Sequence, residues 1–142
     1  MPVFLLANGR RVTLSRALVE RVVTTRLSNC FSPQCYMSKE EYLACIEWIT
    51  GRRSEAPGHA RTCIYHMLFY SENLVLTNYM FLRSLRDPAA PEYLDSMLRL
   101  LEEIRRLAEE AYQHLAASRY SEAQRLAIEI LDKLLRWGID PW

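Results

Sequence analysis

Val3-Phe4-Leu5-Leu6-Ala7-Asn8-Gly9-Arg10-Arg11-Val12-Thr13-Leu14 is the stretch on which the expected fold turns. Val3–Ala7 is a short apolar run of the kind that forms a strand. Asn8-Gly9 supplies the two positive-φ residues that a tight hairpin turn requires. Arg10–Leu14 then alternates polar and apolar residues, as a half-buried return strand does. This is the one strong hairpin signal in the sequence, and it predicts a β-ribbon at the start of an otherwise helical chain.

Outward from the ribbon the signals are helical. Ser15 can cap a helix carrying Ala17, Leu18, Val22 and Val23. Ser28–Pro33 is loop-like, and Gln34-Cys35-Tyr36-Met37 could form one more short strand. Ser38 with Glu41 makes a capping-box pattern that opens a helix through Tyr42, Cys45, Ile46 and Ile49, closed by Gly51. After a polar loop at 52–58, two helical stretches are predicted at about 59–70 and 72–86. Asp87-Pro88-Ala89-Ala90-Pro91 breaks the chain.

Beyond that break, Leu94, Met97, Leu101, Ile104, Ala108, Ala111 and Leu115 alternate three- and four-residue spacings, the seam of a helix packed on a partner. Ser118 and Ser121 mark a turn. Ala123, Ala127, Ile130, Leu134 and Trp137 repeat the spacing before Gly138, so an antiparallel helical hairpin is expected. The expected fold class is α+β, mainly helical: an N-terminal hairpin plus a short strand packed on helices, then the helical hairpin. Residues 1–87 would form one part and 92–138 a hairpin packed on it, both in one cooperative unit.

Composition narrows function by exclusion. At 142 residues the chain is about one domain, and a net charge of +1 gives no bulk reason to expect nucleic acid or membrane as partner. Basic residues are skewed to 16 Arg against 2 Lys, and arginine suits planar contacts with carboxylates and aromatic rings. The apolar start is too short for a signal-peptide core and lacks its leading positive charge. No apolar run approaches the roughly 18 residues of a membrane span. Cytoplasm or nucleus is therefore expected, with Cys30, Cys35, Cys45 and Cys63 as thiols.

Three stretches together resemble a BTB/POZ-type domain over residues 3–86. Val3–Leu18 looks like its opening of strand, glycine turn, strand and first helix. Glu41-Tyr42-Leu43-Ala44-Cys45-Ile46-Glu47-Trp48-Ile49-Thr50-Gly51-Arg52 is similar to its helix ending in an aromatic-x-Thr-Gly run. Asn73–Leu85 looks like its later helix with an Asn-Tyr-x-x-Leu pattern. The resemblance implies a protein-assembly role of the short adaptor type, elongin C-like. Pro33 stands where cullin-binding members often carry glutamate.

Candidate chemistry is sparse. His59, Cys63 and His66 fall on one face of a helix, and Cys30 and Cys35 could complete a zinc site with Cys63 and His66. The spacing matches no strong zinc motif, so buried core residues are the favoured reading, and a Cys30–Cys35 disulfide is a further alternative. Arg61 and His66 fit the short Arg-x4-His pattern of HEPN ribonucleases. Glu102, Glu103, Glu109 and Glu110 interleave with Arg99, Arg105 and Arg106 as a solvated face. No catalytic residue, cofactor or metal is expected.

The expected function is a non-enzymatic adaptor or oligomerisation module that binds protein partners, a second copy of itself included. Its surface would be the helical-hairpin face plus the Tyr65–Phe81 region: Tyr65, Phe69, Tyr70, Tyr79, Phe81, Leu101, Trp137 and Trp142. The alternatives are an all-helical nucleic-acid-associated subunit and a HEPN-like ribonuclease.

Overall fold

The computed structural model describes residues 3–5, 11–13 and 37–141, with side chains from 37 onward. Its body is four helices: α1 (Lys39–Ile49), α2 (Ala60–Ser84), α3 (Ala90–Ala116) and α4 (Tyr120–Arg136). The α+β expectation is overturned, because residues 37–141 hold helices alone. Val3–Leu5 and Arg11–Thr13 pair antiparallel, Val3 opposite Thr13. Three-residue strands in a single pair are too short to supply a layer. The expected strand at 34–37 lies outside the described residues except for Met37, which is in a bend.

The capping box at α1 forms as its residues dictate. Ser38 Oγ accepts from the Glu41 amide at 3.1 Å, and the Glu41 carboxylate accepts from the Ser38 amide at 3.3 Å. Gly51 turns the chain away with φ 78°, a conformation that glycine adopts without strain. Gln124, on α4, then fastens this end: its Nε2 donates to the carbonyls of Trp48 at 2.8 Å and Arg53 at 2.7 Å.

The two helical stretches expected at 59–70 and 72–86 are one helix. Ser71, Asn73 and Thr77 do not break it, since each side chain donates to a carbonyl one turn back: Met67, Phe69 and Asn73 respectively. The helix ends where Arg86 takes φ 54° and the Asp87 carboxylate accepts from the Ala89 amide at 2.9 Å. Pro91 then sits in the first turn of α3, where its missing N–H is harmless.

α3 and α4 fold back through a turn at Ala117–Arg119, with Ser118 at φ 58°. Lys133 Nζ reaches Glu103 Oε1 at 2.6 Å across the pair, which fixes the register. In that register Ala108 and Ala111 stand near the turn with Ala123 and Ala127, and Leu101 and Ile104 lie farther off with Ile130 and Leu134. All eight are fully buried. Small residues line the seam near the turn and larger ones line it farther off. α2 contacts α1, α3 and α4, and α1 also touches α4.

Leu101→Ala is expected to destabilise the fold by about 2–5 kcal/mol, the range for truncating a buried leucine. Leu135→Ala, at a position 50% exposed, should change stability by no more than about 0.5 kcal/mol. Urea unfolding compares the two, and equal effects would contradict this seam.

Candidate functional site

Two groups of side chains converge around the first three turns of α2. The first contains sulfur and imidazole. Cys45 lies on the inner face of α1 with Trp48 and Ile49, and Cys63 lies in the first turn of α2. Both are fully buried and joined by a disulfide, with Cα atoms 5.4 Å apart. The expectation of four thiols is thus corrected for this pair, and the described residues include no free cysteine. Met37 Sδ lies 3.8 Å from Cys45 Sγ, a sulfur–sulfur contact and not a hydrogen bond, because a disulfide sulfur carries no proton.

His59 completes this corner. One of its ring nitrogens and both cysteine sulfurs lie within 4.8 Å of one another. Its Nε2 is 3.0 Å from the Glu41 carbonyl oxygen. A carbonyl can only accept, so Nε2 carries the proton and neutral His59 keeps its lone pair on Nδ1. Nδ1 lies 3.9 Å from the Glu41 carboxylate.

The zinc set considered from sequence does not assemble. Cys30 and Cys35 lie outside the described residues, and Cys63 is bonded to Cys45. His66 is fully buried, with its Nε2 2.7 Å from the Pro141 carbonyl. That contact ties the tail after α4 to α2. Arg61 and His66 are not brought together either: the guanidinium of Arg61 lies over the Tyr112 ring, on another side of the helix.

The second group is aromatic and cationic. Arg61 Cζ stands 4.3 Å from the centroid of Tyr112, on α3. One turn along α2, Tyr65 is 44% exposed while its ring stacks on Phe69, with centroids 5.8 Å apart and planes 18° from parallel. On α3, Arg105, two turns before Tyr112, bonds Glu109 at 2.8 Å. Burial pushes the Tyr112 hydroxyl up to about 12, with Arg61 opposing and Tyr65, Glu72 and Glu109 adding to the rise. Tyr112 is therefore a neutral ring at physiological pH. Its hydroxyl and Arg105 Nε find no partner among the described residues. At the Arg61 end the face opens into a groove of about 500 Å³, lined by Glu55, Pro57, Arg61, Leu115 and Tyr120 among others.

The expected surface residues separate in space. Tyr65 and Phe69 belong to this face. Tyr70 is half-buried, its ring 6.0 Å from the His66 ring. Tyr79 and Leu101 are core residues at 6% and 0% exposure, a correction that follows from α2 acting as the partner of the α3 seam. Phe81 is 63% exposed but lies 16 residues beyond Tyr65 along one helix, about 24 Å at 1.5 Å per residue. Trp137 is 53% exposed at the end of α4, and Trp142 lies outside the described residues. Sequence reasoning missed Tyr112 and the Cys45–Cys63 pairing. Tyr112 flanks the Ala108–Ala111–Leu115 seam, the one position from which it could have been suspected.

Reducing the Cys45–Cys63 bond should lower stability by about 3 kcal/mol on a chain-entropy estimate for a separation of 18 residues. Urea unfolding with and without a phosphine reductant measures this. Burial also lowers the His66 pKa from its ordinary 6.5, against the opposing Pro141 hydrogen bond. Below about pH 6.5 the unfolded chain takes a proton there that the folded chain refuses. Stability should therefore fall as pH drops through that window, and His66→Phe should flatten the slope. An unchanged slope in the variant would assign the effect to other groups.

No protein-family model matches this chain, and no curated protein or solved structure does so either.

Proposed function

We propose that this chain is a non-enzymatic interaction module that holds a protein partner on the Arg61–Tyr65–Phe69–Tyr112 face and the groove beside it. The observation that carries this reading is the pre-set order of the face. Tyr65 is nearly half exposed, yet its ring is already stacked on Phe69, and Arg61 is already seated on Tyr112. Side chains fixed before binding lose little rotamer entropy when a partner arrives. Tyrosine and arginine are also the residue types that dominate interface hot spots.

The chemistry of the face describes what it would hold. Stacked rings offer flat apolar area, and the groove beside Tyr120 and Leu115 can take an aliphatic side chain. The Arg61 guanidinium favours an acidic group at the rim. This keeps the protein-assembly role that the family resemblance implies, without resting on a sheet. A phosphate backbone is a poorer occupant, since Arg105 is already paired with Glu109 and the net charge is only +1. Among the described residues no helix is long and apolar enough to cross a membrane. A cytoplasmic or nuclear site of action is part of the proposal and requires that the Cys45–Cys63 couple tolerate reduction there.

The test is affinity purification from the native cell, with the intact chain and a Tyr65→Ala/Arg61→Ala variant as parallel baits. The variant should lose its specific partner, or bind it about 10- to 100-fold more weakly, with an unchanged circular dichroism spectrum. Equal recovery by both baits would remove this face from the account. Salt-sensitive binding of RNA or DNA by both baits would replace protein with nucleic acid as the partner.

A further inference from the structure

The corner opposite the aromatic face carries chemistry that a bare disulfide does not need. A structural disulfide is complete with two sulfurs, yet here an imidazole nitrogen lies within 4.8 Å of both. That imidazole is oriented from behind: Nε2–H donates to the Glu41 carbonyl, and the Nδ1 lone pair is left to act as a donor. A hydrogen bond from the non-coordinating nitrogen to a backbone carbonyl is how proteins set the tautomer and angle of a metal-binding histidine.

We propose that the Cys45–Cys63–His59 corner is a redox-gated zinc site, closed when its disulfide is formed and competent when a dithiol reduces it. Reduction passes two electrons and two protons from the dithiol to the Cys45–Cys63 bond, leaving two thiols here and a disulfide on the reductant. Zinc then displaces the two thiol protons and binds both thiolates and the His59 nitrogen.

Distances allow the exchange. Tetrahedral zinc, with Zn–S near 2.3 Å, holds two thiolate sulfurs roughly 3.8 Å apart. The two sulfurs start covalently joined, and all three donor atoms lie within 4.8 Å of one another. Once the bond is reduced, the sulfurs need only move to that spacing, with the imidazole nitrogen already beside them, to accept the ion. Charge selects a divalent ion: Cys45 and Cys63 are fully buried, and two thiolates with Zn²⁺ form a neutral unit, whereas a monovalent ion would leave a net buried charge. The fourth position falls to solvent water or to the Glu41 carboxylate, which lies 3.9 Å from His59 Nδ1 at this 23% exposed edge. Met37 Sδ, 3.8 Å from Cys45 Sγ, gives the sulfurs a soft, apolar wall. This inference is independent of the aromatic face and stands or falls separately.

The test uses the full chain with Cys30→Ser and Cys35→Ser, so that only the described pair can bind. Reduced without oxygen and titrated with Zn²⁺ against a chromophoric chelator, it should take up one zinc per chain, and the oxidised protein none. His59→Ala should weaken binding by more than about 100-fold while leaving the circular dichroism of the oxidised form unchanged. Cobalt(II) in the same site should show thiolate charge-transfer absorption and tetrahedral ligand-field bands. If the serine background does not fold, alkylation of the unaltered chain, mapped by mass spectrometry, gives the same answer. In that assay zinc should protect Cys45 and Cys63 together. No zinc uptake by the reduced chain, or equal affinity in His59→Ala, would overturn the proposal.

Discussion

A helix buried over more than half of its circumference has to be enclosed from several sides, and that requirement organises this molecule. In α2, Cys63, Ile64, His66, Met67 and Leu68 are all buried, and at 3.6 residues per turn they cover roughly 200° of the helix circumference. One packed neighbour cannot cover such a segment. α1 closes one side, the α3–α4 hairpin closes another, and the tail ending at Pro141 reaches His66. Tyr65 is the outward residue of that run and lies in the uncovered sector that it shares with Arg61 and Phe69.

The same requirement explains why the chemically distinctive residues gather at the start of α2. That helix has no side-chain cap: His59 occupies the cap position, and only its backbone carbonyl bonds the first turn, accepting from the Cys63 amide at 3.2 Å. What holds the first turn instead is backbone contact from the Ala60 amide to Pro57, together with the Cys63 bond to α1. His59 is therefore free to turn its ring toward Glu41 and the sulfurs. On the opposite side of the same turn, Arg61 has α3 within reach and settles on Tyr112. Two unlike sites share one helical turn because it is the junction of three helices.

The sequence made some of this legible and hid the rest for physical reasons. The seam Leu94–Met97–Leu101–Ile104–Ala108–Ala111 was readable because α3 is strongly two-faced, and a stripe on such a helix has one interpretation. The capping box at Ser38 and the stop at Gly51 were readable because they are local chemistry. α2 was not: buried residues spread over more than half of its circumference give no narrow stripe, and Ser71 looks like a break until its hydroxyl is seen to bond back to Met67. The error over Leu101 has the same root. A two-helix seam with no visible partner suggests an exposed surface, whereas the partner was the helix whose pattern could not be read. The α+β expectation rested on residues 3–14, where the hairpin signal is strong locally but says nothing of what covers the helices. Cysteine pairing is a further blind spot, because Cys45 and Cys63 meet only once α1 and α2 are packed.

Arg61 and Tyr65 flank Cys63 along the first two turns of α2. Cys63 follows Arg61 by two residues and precedes Tyr65 by two, within a turn fixed at its other side by the covalent link to α1. A link of that kind does for the uncapped helix start what a serine or aspartate cap does elsewhere: it removes the freedom of the first turn to fray. The stacked geometry of Tyr65 on Phe69 and Arg61 on Tyr112 requires the backbone of that turn to hold its position. A corner that exchanged its disulfide for a three-ligand metal would keep the first turn anchored, because Cys63 stays tethered to Cys45 through the ion. A corner with two free thiols would not.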